Sequence, residues 1–215
     1  MKVIVTCGPS FEPIDEVRRL TNFSTGELGA LLAEQLAAAG HEVFCFKGSG
    51  ATHAGPTSGP RCQVRRFDTN DDLLALLREV GGAHEVGAVF HAAALCDFRV
   101  ATVRDAAGDA CSSAKIASRA GALTLHLEPA TKVIHELRPL FPRSLLVGWK
   151  YELAGTREEA LAKAHRQLSE AQTDLCVLNG RAAGEGFSIC DGRSEVSQWP
   201  TKAALCAELV QRLAR

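Results

Sequence analysis

Residues 3–47 read VIVTCGPSFEPIDEVRRLTNFSTGELGALLAEQLAAAGHEVFCFK. The stretch opens on an apolar run, Val3 to Thr6, of the kind a strand shows when both faces of its sheet are covered. It closes on a second such run, His41 to Lys47. Between them Leu28, Leu31, Leu32 and Leu36 recur at helical spacing and Gly40 stands where a helix would end, so a helix is predicted from about Thr25 to Ala39. Two strands joined through a helix form a right-handed parallel crossover, the start of a doubly wound sheet. The connection between the first strand and the helix is unusual. About two to six residues suffice for such a turn, yet here Glu12 to Gly29 carries charges and an amide, which marks a binding loop. Ser24 and Glu27 have the spacing of a capping box. The helix start offers free N–H groups to an anion, and Gly26 and Gly29 let a phosphate or a neighbouring strand approach; a G-x-x-G of this kind serves close packing as readily as a ligand.

Outward from this unit the pattern repeats. Gly48 to Pro60 is a Gly-, Ser-, Thr- and Pro-rich surface loop, Gln63 to Phe67 a strand, Asp71 to Val80 a helix and Val86 to His91 a fourth strand. That strand runs into Ala92-Ala93-Ala94-Leu95-Cys96-Asp97-Phe98-Arg99, where small residues allow a flat group to lie on the backbone; close helix packing and a turn cap at Asp97 are the structural alternatives. Arg104 to Ala114 has almost no large apolar residue and is expected to be mobile, a lid if it borders a site. Lys115-Ile116 and Ala117-Ser118-Arg119-Ala120-Gly121 follow, and the alternation of Leu123 to Leu127 suggests a hairpin with one exposed face. A short helix after Glu128-Pro129, a strand Leu145 to Lys150, a helix Thr156 to Ala171, a strand Asp174 to Leu178 ending at Asn179, a hairpin of Gly186–Cys190 and Glu195–Trp199 around Asp191-Gly192, and a helix Lys202 to Leu213 complete the chain. The fold class is α/β: a doubly wound, mostly parallel Rossmann-like sheet with a small antiparallel hairpin addition, in one domain over 1–215.

Composition narrows the function. The 215 residues are 46% hydrophobic with a formal net charge of -1, which gives no electrostatic reason to expect nucleic acid or an anionic membrane as partner. No apolar run approaches the ~20 residues of a membrane span, and the amino terminus reads straight into a strand, so a cytoplasmic protein is expected. The cysteines at 7, 45, 62, 96, 111, 176, 190 and 206 contain no C-x-x-C pair and read as reduced core residues. The histidines show no paired ligand spacing, so no protein-bound metal site is expected. Asn22-Phe23-Ser24 would be a glycosylation acceptor only in a secreted chain.

The order Thr6-Cys7-Gly8-Pro9-Ser10, Glu12-Pro13-Ile14-Asp15, Val17-Arg18, Asn22-Phe23-Ser24-Thr25-Gly26 and Gly29 resembles the opening of phosphopantothenoylcysteine synthetases, also called phosphopantothenate–cysteine ligases. The resemblance continues through Ala93-Ala94-Leu95-Cys96-Asp97-Phe98, Lys115-Ile116, Gly148-Trp149-Lys150-Tyr151-Glu152 and Asn179. It implies a nucleotide-dependent ligase of coenzyme A biosynthesis, joining 4′-phosphopantothenate and cysteine through an acyl-nucleotide with CTP or ATP and Mg²⁺. It implies Asn22 and Lys115 as catalytic residues. Gly8, Ser10, Ala93, Ala94, Asp97, Phe98, Lys115, Trp149 and Lys150 would lie at the nucleotide, and Asn22, Ser24, Thr25, Gly26 and Asn179 at phosphopantothenate. A homodimer is implied too, with part of the site near the subunit contact, and a stand-alone ligase working beside a separate phosphopantothenoylcysteine decarboxylase.

Three departures from the family pattern bear on substrate. Pro9 replaces the second glycine of a Gly-Gly, removing a backbone donor; Ile116-Ala117-Ser118 lacks the lysines that follow the first in the family's Lys-Ile-Lys-Lys, leaving phosphate binding to be shared with Arg99 or Lys150. Gly-Trp-Lys-Tyr-Glu looks more like the ATP-using eukaryotic type than the CTP-using bacterial one, so the nucleotide stays open. Two other readings compete. A nicotinamide-dependent reductase is opposed by the lack of G-x-G-x-x-G after the first strand and of a lysine four residues after Tyr151. A non-catalytic nucleotide-binding homologue is consistent with the thinned lysine cluster.

Overall fold

The computed structural model describes residues 1–118, 121–192 and 195–214, and over 195–197 the backbone alone. Its centre is β1 (Lys2–Cys7), whose fully buried Val3, Ile4 and Val5 are what a strand covered on both faces requires. The antiparallel β2 (Phe11–Pro13) and β3 (Arg19–Thr21) follow within the long connection. Then come α1 (Glu27–Ala38), β4 (Glu42–Gly48), β5 (Cys62–Phe67), α2 (Asn70–Ala83) and β6 (Ala88–His91). β7 (Phe98–Arg104) and β8 (Thr124–Pro129) pair antiparallel as a separate hairpin. The remainder is α3 (Val133–Leu140), β9 (Leu145–Tyr151), α4 (Arg157–Ala171), β10 (Leu175–Asn179), β11 (Phe187–Cys190), β12 (Glu195–Trp199) and α5 (Lys202–Arg212). The main sheet runs β12-β11-β10-β9-β6-β1-β4-β5, parallel from β10 to β5 and antiparallel only at the β11–β12 edge.

Alternation along each strand sorts the two cores. Val3, Val5 and Cys7 face α1 and α5, packing on Leu32, Leu36, Leu205 and Leu209. Ile4 with Phe44, Phe46 and Phe67 faces α2 and α3, meeting Leu73, Leu77, Val133 and Leu137. Gly29 explains the close seating of α1: a Cβ there would lie 2.4 Å from Cys7 Cβ, so this glycine packs helix on strand. The eight cysteines are thiols rather than disulfides, and six are buried. Among the described residues no helix is long and apolar enough to cross a membrane.

The doubly wound sheet and its added antiparallel hairpin agree with expectation; three local features differ. The Ser24–Glu27 capping box does not form. Gly26 itself caps α1 with φ 77, no side chain accepts at the cap, and the Glu27 carboxylate turns to Lys202 of α5. Capping boxes form instead at Thr69–Asp72 of α2 and Thr156–Glu159 of α4. The polar connection is also more ordered than a plain loop, through the β2–β3 pair. Finally, the partner of the Leu123–Leu127 alternation is β7, so the expected mobile stretch begins inside a strand. Asp105 Oδ1 then accepts from the N–H groups of Ala107 and Asp109 to make a defined turn. Arg119 and Ala120 of the expected hairpin connection lie outside the described residues, as do residues 193 and 194 of the second hairpin's turn.

Candidate active site

β4 leaves β1 on one side and β6 adds on the other, so the order reverses between β1 and β6, where open sheets gather ligands at their carboxyl ends. A cleft lies there in two lobes that share Phe23, Ala93, Ala94, Trp149 and Tyr151. The lobe on the α1–α5 side, about 400 Å³, is lined by residues 23–29 with Asn179 and Lys202. The lobe on the α3–α4 side, about 700 Å³, adds Asn22, His91, Asp97, Lys132 and Lys150. Trp149 packs against the α1–α5 core while the next residue, Lys150, lines the α3–α4 lobe, as alternation requires.

The cleft floor is backbone. Beyond β1 and β6 the chain continues as a parallel pair: Ala94 donates to Gly8 O at 2.9 Å and Ser10 donates to Ala94 O at 3.2 Å. Asn22 clamps the long loop onto this floor, its Nδ2 donating to Ala94 O at 3.1 Å and Leu95 O at 2.9 Å. Both amide hydrogens are thereby engaged, leaving Oδ1 as the free functional atom, an acceptor.

Of the expected site residues, the cleft brings together Asn22, Ser24, Thr25, Gly26, Ala93, Ala94, Asp97, Trp149, Lys150 and Asn179. Gly8, Ser10, Phe98 and Lys115 line neither lobe. Gly8 sits at φ 79, and a Cβ there would lie 2.7 Å from Ala51 Cβ, so both backbone and space call for glycine. Ser10 is fully buried beneath the floor, its hydroxyl donating to Asn70 Oδ1 and accepting from Cys96 N, both at 2.8 Å. Phe98 is 54% exposed on β7. Arg99 pairs with Glu128 at 3.0 Å, and the Trp149 indole N–H is buried with no acceptor among the described residues.

Lys115 is exposed, but its neighbours are fastened. Asp15 Oδ2 accepts from Ile116 N at 3.1 Å, Arg18 Nη2 donates to Ile116 O at 2.7 Å and Glu16 N donates to Ala114 O at 3.0 Å. The Arg18 guanidinium, with the N–H groups of Val17, Ile116 and Arg18, holds the Asp15 carboxyl well below the usual carboxylate range. A depressed folded-state pKa stabilises above the ordinary value of about 3.9 and is lost as pH falls through the depressed one, so the fastening persists through neutral and mildly acid solution. Asp15→Asn should accordingly increase protease cleavage between Asp105 and Ser118 at pH 7 with the far-UV spectrum unchanged. Unaltered cleavage would show that Ile116, itself buried, anchors the segment alone.

Three cleft residues carried no signal in the local sequence. Lys132 pairs with Asp97, Lys202 pairs with Glu27 at the start of α1, and His91 sits at the end of β6. Each comes from a segment distant in sequence from its partner. No group of three His, Cys, Asp or Glu able to hold a metal ion occurs among the described residues.

The model of the DNA/pantothenate metabolism flavoprotein C-terminal domain matches residues 1–212. The coenzyme A biosynthesis bifunctional protein CoaBC of Thermococcus kodakarensis is 34% identical over 215 residues, which are 99% of this chain and 49% of that protein. The chain thus spans about half the length of the curated relatives it matches. Among solved structures, the DNA/pantothenate metabolism flavoprotein from Streptococcus pneumoniae superposes with a TM-score of 0.85 at 24% identity, covering 100% of this chain and 98% of that one. A Cab2 mutant in complex with phosphopantothenate-cysteine superposes with a TM-score of 0.76 at 18% identity, covering 99% of this chain and 86% of that one. Both show the same fold.

Proposed function

The chain belongs to the family of the DNA/pantothenate metabolism flavoprotein C-terminal domain, and on that premise we propose that it joins 4′-phosphopantothenate to cysteine in coenzyme A biosynthesis, using CTP or ATP with Mg²⁺. The observation that carries the reading is the two-lobed cleft at the sheet's switch point, with Asn22 clamped across its floor. Residues 1–215 act as one cytoplasmic domain in this reading. It pairs as a homodimer, for which Phe98 and Leu127 of the β7–β8 hairpin offer exposed apolar surface, and a phosphopantothenoylcysteine decarboxylase takes its product.

Two displacements compose the reaction. A carboxylate oxygen of phosphopantothenate attacks the α-phosphorus and pyrophosphate leaves; the cysteine amine then attacks the acyl carbon, and the nucleoside monophosphate departs as the amine loses its proton. Charge grows first on phosphoryl oxygens and then on the acyl oxygen, so fixed cations and donors matter most. Lys132 and Lys150 supply cations in the larger lobe. The start of α1, with Lys202, suits the pantothenate phosphate in the smaller one. Ala92 to Ala94 present a flat backbone to the nucleotide. Asn22 Oδ1 accepts a hydrogen from the attacking amine and aims its lone pair at the acyl carbon. Mg²⁺ bound to the nucleotide would neutralise phosphate charge.

Incubation with phosphopantothenate, cysteine, Mg²⁺ and either CTP or ATP should release pyrophosphate and form phosphopantothenoylcysteine. Nucleotide binding without pyrophosphate would instead favour a non-catalytic homologue. Lys115 is an exposed cation adjoining the expected lid, and Lys115→Gln should weaken nucleotide use by about 1.5–3 kcal/mol, the range for a hydrogen bond to a charged partner, at unchanged stability. An unaltered KM for the nucleotide would make Lys115 a solvated surface charge, consistent with its position outside both lobes.

A further inference from the structure

We propose, building on the ligase reading, that His91 is a substrate-positioning group whose Nε2–H donates to a phosphoryl oxygen of the nucleotide in the larger lobe.

The placement follows from register. His91 pairs with Thr6 across the parallel β6–β1 ladder, and it follows Phe90, which belongs to the α1–α5 core. Its ring therefore lies on the α2–α3 side, where it lines the cleft with Lys132 and Lys150. Only 6% of the residue is exposed.

The hydrogen-bond inventory fixes which nitrogen carries the proton. Thr6 Oγ1 lies 2.9 Å from His91 Nδ1 and accepts from Ala93 N at 3.2 Å. Thr6 is fully buried, so its hydroxyl hydrogen needs a protein acceptor, and Nδ1 is the one in reach. With Nδ1 accepting, the neutral ring carries its hydrogen on Nε2, which has no protein partner among the described residues. Burial holds the ring neutral by pushing its pKa down to about 4.

The chemistry of the ligand follows. A cation would need a lone pair on Nε2, and this tautomer has none there. An oxygen acceptor fits, and Lys132 and Lys150 of the same lobe, each paired in this structure with a carboxylate (Asp97 and Glu152), favour an anionic one when they turn to it. A neutral donor adds a directed hydrogen bond without charge, which suits a phosphate chain that must release its pyrophosphate after reaction. The same Thr6 hydroxyl holds Ala93 N, so the histidine and the alanine floor are fixed together.

Asn and Gln separate the two ring nitrogens, because Asn Oδ1 reaches the place of Nδ1 whereas Gln Nε2 reaches that of Nε2. His91→Asn should keep the Thr6 contact and the denaturation midpoint, and weaken binding of the nucleotide about tenfold by calorimetry. His91→Gln should restore affinity to within about threefold. Phosphopantothenate affinity should not change in either variant, which separates the nucleotide from the other phosphate-bearing ligand. Nitrogen-15 NMR of the free protein should show Nδ1 unprotonated and Nε2 protonated, with Nε2 shifting when the nucleotide is added. Unchanged nucleotide affinity in His91→Asn, a loss confined to phosphopantothenate, a lowered denaturation midpoint accompanying equal loss of both ligands, or the opposite tautomer would each overturn the assignment. Failure of the ligase reading looks different: the wild-type protein would itself bind neither CTP nor ATP, or bind one of them without releasing pyrophosphate when phosphopantothenate and cysteine are supplied.

Discussion

Asn22→Ala is expected to slow amide formation about 100-fold, within the range seen when one oriented polar group is removed from a reacting centre, while pyrophosphate release in the first half-reaction falls far less. Two losses combine in this variant. The Oδ1 acceptor for the incoming amine disappears, and so do the two Nδ2 hydrogen bonds that hold residues 22–25 over Ala94 and Leu95. Asn22→Asp separates them. It keeps an oxygen acceptor, but its second oxygen replaces Nδ2 and faces two carbonyl oxygens, so the loop is pushed off the floor. Asp should therefore be at least as slow as Ala, although it retains the acceptor. Rapid-quench measurement of acyl-nucleotide consumption after adding cysteine checks both variants. A rate in Asn22→Asp close to wild type would mean that the clamp is dispensable and Asn22 acts only through its acceptor.

The sheet was legible because its strands are apolar runs and its helices carry regular leucine spacing. Lys2–Cys7, Glu42–Gly48 and Leu145–Tyr151 each stand within about two residues of their expected bounds. What escaped were elements defined by partners rather than by their own pattern. β7 alternates poorly, since five of its seven residues are exposed, and its pairing partner begins some twenty residues later at Thr124. The start of α1 was misread for a related reason. Ser24 and Glu27 have the spacing of a box, but Gly26 at positive φ ends the loop next to the helix, and Lys202 from the far end of the chain takes the Glu27 carboxylate. The site shows the same division. Residue types at Asn22, Ala93, Ala94, Trp149 and Asn179 pointed to the cleft, whereas the direction of each donor did not follow from them. That Asn22 directs its hydrogens into the floor depends on where the carbonyls of Ala94 and Leu95 point, and that His91 is a neutral donor depends on a buried threonine 85 residues away.

Lys47→Met is expected to destabilise the fold by about 3 kcal/mol, on the scale of charge-assisted hydrogen bonds lost and carbonyls left without a donor. For a chain of this size that corresponds to a fall in Tm of about 6–12 °C. Lys47 ends β4 only 1% exposed. Its Nζ donates to His53 O at 2.5 Å and Gly55 O at 2.6 Å, with Ala54 O at 3.4 Å. The ammonium thus gathers successive carbonyls of the Gly48–Pro60 loop into one knot, where the sequence showed only a polar residue ending an apolar run. Methionine matches the length of the stem and keeps its packing, so the loss isolates the donor. Lys47→Arg should not rescue, because a planar guanidinium cannot enter a cradle shaped for a compact ammonium. The knot also reaches the cleft. Ala51 in the same loop sits where a Cβ on Gly8 or Gly26 would come within 2.7 and 3.0 Å of it, and His53 N donates to Thr25 O at 3.0 Å. Loosening the loop should therefore weaken phosphopantothenate binding in the α1–α5 lobe more than nucleotide binding in the other. Urea denaturation gives the stability change and calorimetry with each ligand gives the asymmetry. An unchanged urea midpoint in Lys47→Met would show that water replaces the ammonium without cost and that the loop is held by its own turns.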